Sequence, residues 1–397
     1  MITKLFFLSL ISLTACHRTD VINTASVEAA ASVEPVGAAA QQPRQGFIPV
    51  EGANLRARLD AAARQERAAA PAARFWTAYA FDVRPGIAVD VESKGHHSVT
   101  NVVGGTSVSF GSQVETRNLG VFLLHEPSGN AVTRVEVYNL ERQREYSGYR
   151  VYWLGRGGNE ESLNLLQSLT ASNQPEKVAE HAVFAIAVHD DPRVGGLLKD
   201  FVRQSSVVKV RSNAVFWLGQ VGGETAFLSE LIRNTNENVE VRKQAAFAIG
   251  VSKDQAALTT LQNLYGSVAD REVKKQIIFA VSINENSDAA VNFLIDTARN
   301  DADREARKQA IFWLGQKAGK RSLDALGDAV ESNDADTEVQ KQAVFAISQR
   351  PKDEAVPLLI KIAKTHQKAA VRKQAIFWLG QTGDERAVDF FKEVLLK

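Results

Sequence analysis

The sequence has little cysteine, almost no excess of charge and no apolar run long enough to cross a membrane. Its one cysteine, Cys16, excludes a disulfide framework and a cysteine-based zinc site within a single chain. The formal net charge is +1, whereas a surface that binds nucleic acid is normally strongly basic. The apolar run 5–15 has eleven residues, and a membrane-spanning helix needs roughly 20.

Signatures of catalysis and metal binding are also missing. No HExxH, CxxC, GxSxG or Walker A pattern occurs, and the segment GQKAGK at 315–320 has three residues rather than four between its glycines. His96, His97 and His125 lie in one region but without a carboxylate at ligand spacing. The sequence therefore predicts no metal site, no cofactor and no catalytic residue.

The N-terminal segment has the features of an export signal. Lys4 is followed by the apolar run 5–15. The last three residues of this run and the next residue read Leu13-Thr14-Ala15-Cys16. This stretch resembles the lipobox of bacterial lipoproteins, which implies cleavage before Cys16 and acylation of that residue. Several acyl chains give stable anchoring. His17, where Asp would favour the inner membrane, points to the outer membrane. We expect a lipid-anchored protein of the cell envelope, on the periplasmic side; the alternative is an ordinary signal peptide, 1–15, with an incidental cysteine.

Composition predicts two further segments before residue 142. Residues 16–73 are rich in Ala, Gln and Pro and poor in aromatic residues, which predicts a flexible tether containing a short solvated helix at 55–70. Residues 74–141 alternate apolar and polar side chains around turns, which predicts a small antiparallel β region with hairpins at 75–92 and 120–140. We expect this region to form an N-terminal cap on the rest of the chain.

From residue 142 to 397 one unit recurs. An aromatic residue marks each copy at intervals of about 32 residues, a period typical of a solenoid, in which each unit buries its apolar face against its neighbours. The aromatic residues are Tyr152, Phe184, Phe216, Phe247, Phe279, Phe312, Phe345 and Phe377. The segment RKQAIFWLGQ even occurs twice, at 307–316 and 372–381.

Each unit contains two helical patterns. One is typified by VRKQAIFWLGQ and the other by DEAVPLLIKIAK, with apolar residues three and four apart. The first pattern follows a short polar residue that can accept bonds from free backbone amides at a helix start: Asn238, Asp270, Asp303 and Asp336. Glycines such as Gly319 and Gly383 follow it, as expected at a helix end.

This pattern resembles HEAT repeats, in particular the short phycobilisome-lyase type. Asp-x-x-Val-Arg-x-x-Ala-x-x-x-Leu-Gly is matched at 238–250 and 303–315, whereas Gln340 replaces the Arg and the unit around Tyr152 lacks both the Asp and the Val-Arg. The resemblance implies a mainly α fold, a right-handed α-solenoid of helix pairs whose second helices line the concave side.

A helical wheel places the recurring aromatic residue away from the core stripe. On a wheel of the helix at 371–381, Ala375 and Leu379 lie within a quarter-turn of Val371, whereas Phe377 lies on the opposite side. Two hypotheses follow. The rings pack between repeats, or they form an exposed track for a partner, flanked by polar side chains. The candidate partner-binding residues are Phe184, Phe216, Phe247, Phe279, Phe312, Phe345 and Phe377, with Lys243, Lys275, Lys308, Lys341 and Lys373, and Gln244, Gln276, Gln309, Gln342 and Gln374.

The sequence thus predicts a membrane-anchored interaction scaffold, not an enzyme, that binds a protein or peptide in the cell envelope and no nucleic acid. The alternative is a lyase-like or modifying enzyme with a site between the β region and the first repeats, near Tyr149, Tyr152 and Trp153.

Overall fold

The structure is a computed structural model that describes residues 46–89, 99–103, 106–110, 116–127, 129–171, 173–252, 254–284, 287–332 and 336–395. The signal segment, Cys16, His96 and His97 lie outside these ranges. The N-terminal part holds one helix and eight strands: β1 (Ile48–Pro49), α1 (Leu55–Ala69), β2 (Phe75–Ala80), β3 (Ile87–Val89), β4 (Val99–Val103), β5 (Thr106–Phe110), β6 (Leu119–His125), β7 (Val132–Asn139) and β8 (Val151–Arg156).

The main sheet is mixed, with strand order β1-β8-β2-β6-β7. The predicted hairpin at 120–140 is confirmed, because β6 pairs antiparallel with β7. The sheet is mixed rather than purely antiparallel, because β8, which lies in the region predicted as helical repeats, joins it and runs parallel to both β1 and β2. Alternation along a strand reveals its two faces but not the direction of its neighbours.

The hairpin predicted at 75–92 does not form. β2 lies in the main sheet, whereas β3 pairs with β5 in a separate sheet of order β3-β5-β4. Between them, residues 82–84 turn toward the end of the third helix, where Val83 bridges His189. The turn therefore joins two sheets.

The tether predicted at 16–73 extends too far along the chain, because it includes α1, which is part of the folded core. Leu55, Ala62 and Ala63 are buried on its inner face. Glu66, also buried, accepts a hydrogen bond of 2.7 Å from the hydroxyl of Tyr152 in β8. The alanine-rich composition of this helix gave too little apolar signal to indicate burial, yet small residues allow it to lie close to the sheet.

Fifteen helices follow β8 in the described residues. They are α2 (Asn159–Ser168), α3 (Glu176–Ala187), α4 (Val194–Gln204), α5 (Val208–Val221), α6 (Thr225–Arg233), α7 (Val239–Gly250), α8 (Ala257–Ser267), α9 (Arg271–Ile283), α10 (Ser287–Asn300), α11 (Arg304–Gln316), α12 (Lys320–Glu331), α13 (Thr337–Ser348), α14 (Lys352–Thr365), α15 (Ala369–Gln381) and α16 (Glu385–Leu395). Tyr152, the first aromatic of the predicted row, lies in β8, so the helical array begins at 159 rather than 142.

The helices form two layers. The odd-numbered helices from α3 to α15 carry the VRKQ-type pattern and contact one another far more extensively than the even-numbered ones do. We call the odd-numbered set the inner helices and the even-numbered set the outer helices. One apolar core runs from the sheet through both layers to α16, as expected of a solenoid in which each unit covers its neighbour.

The predicted N-caps are confirmed. The side chain of Asn238 accepts from the amide of Glu240, and Asp270 accepts from the amides of Glu272 and Val273. Asp303 and Asp336 do the same for α11 and α13. These bonds lower the pKa of the Asp303 and Asp336 carboxyl groups, because they favour the ionised form.

The sheet and the helical array are joined by buried polar contacts. His181 in α3 donates from Nδ1 to the carbonyl oxygen of Val135, 2.7 Å away, and so α3 protects the edge strand β7. Deeper, the Tyr79 hydroxyl lies 2.9 Å from Ser162 Oγ, which lies 2.8 Å from His189 Nε2. All three residues are almost fully buried. This chain of hydrogen bonds ties β2, α2 and the end of α3 together.

Candidate partner-binding surface

The arginine of the repeat motif, on the inner helices, forms hydrogen bonds to the end of the preceding outer helix. Arg242 donates from Nε to the carbonyl oxygen of Ile232, at the end of the preceding outer helix. Arg372 donates to the carbonyl oxygen of His366 after α14. Gln340 replaces the Arg in α13 and donates to the carbonyl oxygens of Val330 and Ser332, at 2.9 and 2.8 Å. The motif therefore caps the preceding helix.

The recurring aromatic rings form a row along the inner helices. Phe216 stacks on Phe247 with ring centroids 6.1 Å apart, and Phe247 stacks on Phe279 at 5.9 Å with an interplanar angle of 2°. At other junctions a tryptophan continues the row: Phe184 contacts Trp217, Phe279 contacts Trp313, and Phe345 contacts Trp378, at 4.9 to 5.1 Å. Packing between repeats therefore accounts for part of the surface of these rings.

The rings differ in exposure along the row. Phe184 is 2% exposed and Phe216 6%, so both belong to the interior and we leave them out of the candidate surface. Phe247, Phe279, Phe312 and Phe345 are half-buried. Phe377 is 55% exposed. The wheel, which treats each helix alone, gave all these rings the same environment.

The polar residue three positions before each phenylalanine also differs between the first two inner helices and the later ones. In α3 it is His181, which bonds to β7, and in α5 it is Asn213, whose amide donates to the carbonyl oxygen of Glu180. In the next five inner helices it is glutamine, partly exposed and without a hydrogen-bond partner among the described residues: Gln244, Gln276, Gln309, Gln342 and Gln374. In the first two repeats this side chain therefore forms a hydrogen bond within the protein, whereas in the later five its amide has no such bond among the described residues.

The lysine next to each of these glutamines is largely neutralised within its own helix. Lys243 and Lys275 each lie 2.9 Å from a glutamate three residues earlier, Glu240 and Glu272. Lys308 and Lys341 have the same arrangement. In α15 the corresponding earlier residue is Ala370, and Lys373 is exposed. The lysine row is therefore a set of ion pairs rather than a positive stripe.

Large exposed apolar side chains concentrate on the last two helices. Within the described residues five are strongly exposed, and four of them, Ile376, Phe377, Val388 and Val394, lie on α15 and α16. The apolar part of the candidate surface is thus widest at α15.

The residues proposed for the enzymatic alternative do not converge. Tyr152 faces α1 and the helical array, in the main core. Tyr149 and Trp153 pack on the opposite face of the sheet, against a cluster that includes Trp76 and Phe122. His125 is buried, with Nε2 2.8 Å from the Thr77 hydroxyl. Nowhere among the described residues do three or more His, Cys, Asp or Glu side chains form a group that could hold a metal.

Sequence reasoning missed the tryptophans as links in the row. On the helical wheel of residues 371–381, Trp378 falls on the same side as Val371 and Leu379, yet in the structure it is partly exposed and contacts Phe345 of the preceding repeat. The available signal was that Phe-Trp-Leu-Gly occurs in only three of the repeats, at 216–219, 312–315 and 377–380, whereas alanine follows the phenylalanine in the others.

Comparison with known proteins agrees with this architecture. A model described as HEAT repeats matches residues 196–282, 225–315 and 323–397. The mainly α solenoid, which follows a small mixed β region, therefore contains HEAT repeats over residues 196–315 and 323–397. No curated protein matches the chain significantly.

Several solved structures match part of the chain at low identity and low TM-score. Human deoxyhypusine hydroxylase is 18% identical, with 59% of this chain and 90% of that one covered and a TM-score of 0.30. The complex of CpcE and CpcF of phycocyanin lyase from Nostoc sp. PCC7120 is 15% identical, with coverages of 59% and 92% and a TM-score of 0.30. Kap121p bound to Pho4p is 14% identical, with coverages of 56% and 30% and a TM-score of 0.37.

Proposed function

We propose that the protein is a lipid-anchored scaffold of the cell envelope that binds a segment of a partner protein along inner helices α7 to α15. The observation that supports the binding surface is the coincidence of two changes after α5. From α7 onward the phenylalanine rings are partly exposed, and the glutamine amides beside them have no partner among the described residues. An apolar row flanked by free amides suits a polypeptide, which offers both side chains and main-chain groups.

The anchoring part of the proposal rests on the N-terminal sequence. Cys16 follows the apolar run and Ala15, in the arrangement that the lipobox resemblance implies. Within the described part of the chain, no helix has the length and apolar character needed to cross a bilayer. In a bacterial host, Cys16→Ser should move the protein from the membrane fraction to the soluble fraction and abolish labelling by a clickable palmitate analogue. Unchanged fractionation and labelling would contradict lipid attachment.

Site-specific photocrosslinking tests the binding surface. A benzoylphenylalanine at position 276, on inner helix α9, should give defined crosslinked adducts in the native membrane. The matched control is the same substitution at Gln262, which is also partly exposed but lies on outer helix α8. We expect position 276 to give adducts that position 262 does not. Identical adducts from both positions, or none from 276, would refute a specific inner surface.

A further inference from the structure

The last inner helix, α15, exposes a side chain that every earlier inner helix buries. Ile376, the residue before Phe377, is 39% exposed. The six preceding inner helices each pack against the next inner helix, whereas none follows α15 in the described part of the chain. On those six helices the residue in the same position is fully buried: Val183, Val215, Ala246, Ile278, Ile311 and Val344.

The last outer helix, α16, differs from its predecessor in the same way. Val388 and Val394 lie one period of 32 residues after Val356 and Ile362 of α14. Val356 and Ile362 are buried, whereas Val388 and Val394 are 49% and 53% exposed. The last helix pair therefore presents the apolar character of a contact between repeats, and not the polar outer surface that makes a terminal repeat soluble.

Gly380 leaves an open space beside Ile376. The two residues are four apart on α15 and are therefore neighbours on its surface. A β-carbon built on Gly380 would meet no atom of the described residues nearer than 4.0 Å, whereas Gly219, in the same position on α5, lies against Ala248 of the next inner helix. This surface thus combines a projecting apolar side chain with a space that can receive one. We call it the end face: Ile376, Gly380, Val388 and Val394.

The opposite end of the helical array is already covered. There α3 packs against β7, so the sheet takes the place of a preceding inner helix. Copies of the chain therefore cannot stack head to tail, and the end face of one copy can stack only on the end face of another. In such a two-fold contact, residue i of one copy touches residue j of the other and the reverse.

Charge does not oppose a contact between two end faces. Residues 369–395, which form α15, α16 and the turn between them, carry four basic and four acidic side chains. The helix pair therefore has no net charge, and two identical pairs can approach without net repulsion.

From these observations we infer that the end face joins two copies of this chain in a symmetric dimer. The two α15 helices cross antiparallel, so that Ile376 of each copy fills the space beside Gly380 of the other. Val388 and Val394 of the two α16 helices extend the apolar contact. The two helical arrays are thereby stacked tail to tail.

Disulfide trapping tests this pairing. Cys16 is the one cysteine of the sequence, so the full chain with Cys16→Ser carries only the cysteine that is added. Mixing Ile376→Cys with a mass-tagged Gly380→Cys and oxidising should give at least about fivefold more mixed disulfide than mixing Ile376→Cys with Gln262→Cys, because a disulfide needs Cα atoms about 4.4–6.8 Å apart. Gln262 is partly exposed on outer helix α8. Equal yields from the two mixtures would overturn the pairing.

Two variants with intact folds should lose the dimer. Ile376→Glu places a charge on the end face, and Gly380→Leu fills the space that receives Ile376. Sedimentation velocity from about 1 to 100 μM should show reversible dimers for the parent chain and for the control Gln262→Glu, and monomers for both variants. Circular dichroism spectra like that of the parent would show that the variants fold. A parent that remains monomeric, or variants that dimerise equally well, would overturn the inference.

A different protein on the end face is the competing outcome. In the native membrane, benzoylphenylalanine at position 376 should give an adduct that mass spectrometry identifies as two copies of this chain. Adducts with another protein alone would reject the dimer. Position 276 lies on α9, three inner helices before α15. Failure of crosslinking there would reject the proposed partner-binding surface and leave the end-face dimer unaffected.

Discussion

Gly219 of α5 lies against Ala248 of α7 so closely that a β-carbon built on the glycine would come within 2.6 Å of the alanine carbonyl oxygen. Gly250 and Gly315 have the same relationship to Ala280 and Ala346 in the next inner helix. Where the next helix instead presents Trp217, Trp313 or Trp378, the preceding helix has alanine or serine: Ala187, Ser282 and Ser348. At each junction between inner helices, the size of the residue on one helix is therefore matched to the residue that faces it on the next. This match sets the distance between neighbouring repeats.

The close contact at Gly219 predicts that replacing this helical glycine by alanine destabilises the protein, whereas the same change in a helix usually stabilises it. Alanine is better than glycine within a helix by about 1 kcal/mol, but Gly219→Ala would force the two backbones apart. We expect it to lower the free energy of unfolding by about 1–3 kcal/mol, measured by urea denaturation. At the equivalent position in α15, a β-carbon built on Gly380 would meet no atom of the described residues nearer than 4.0 Å. Gly380→Ala should therefore be neutral or stabilising, and equal effects of the two changes would contradict this explanation.

The capping role of Gln340 predicts that arginine can replace it. Gln340→Ala removes the donor to the carbonyl oxygens of Val330 and Ser332 and should lower the free energy of unfolding by about 1–2 kcal/mol. Gln340→Arg restores the residue that caps the preceding helix in other repeats and should retain full stability. Thermal unfolding of the two variants checks this. If both lose stability alike, the side chain acts through packing rather than through its hydrogen bonds.

The graded exposure of the aromatic row predicts graded stability effects. Phe216 is 6% exposed, and Phe216→Ser should cost about 3–5 kcal/mol, as expected for removal of a buried ring. Phe377 is 55% exposed, and Phe377→Ser should cost less than about 1 kcal/mol. Chemical denaturation of both variants provides the comparison. Similar losses would show that the ring of Phe377 is covered in solution.

Buried His189 predicts a loss of stability in mild acid. Its Nδ1 donates to the carbonyl oxygen of Ala185, so Nε2 accepts from the Ser162 hydroxyl, which in turn accepts from Tyr79. Burial lowers the pKa of His189 to about 4, below the unfolded value of about 6.5. The unfolded chain therefore binds more protons between these values, and stability falls as the pH is lowered from about 6.5 to about 4, by roughly 3 kcal/mol in total.

The variant His189→Gln isolates this contribution, because glutamine keeps one donor and one acceptor but does not titrate. Urea denaturation at pH 7.5 and pH 5 should show a smaller pH-dependent loss in the variant than in the parent protein. A parent and variant that lose stability equally would place the pH dependence elsewhere, for example at His125, which is also buried and has a pKa lowered to about 4.

Local sequence predicted the helical array well because its signals act within one or two turns. The caps at Asn238 and Asp336, for example, depend only on a side chain and the amides that come after it. The same locality explains the errors. The pairing of β8 with β1 and β2, in a region predicted as helical repeats, and the burial of α1 depend on partners far along the chain, which a local pattern does not reveal.

The sequence by itself determined a repeating mainly α fold, because a period of about 32 residues imposes the same local environment on each unit. It also determined which residues recur on the inner helices. Only the tertiary structure decided which of those side chains remain exposed to solvent. Burial of a ring depends on what the neighbouring repeat places beside it, so Phe216 is enclosed and Phe377 is exposed although their own helices carry the same Phe-Trp-Leu-Gly-Gln segment.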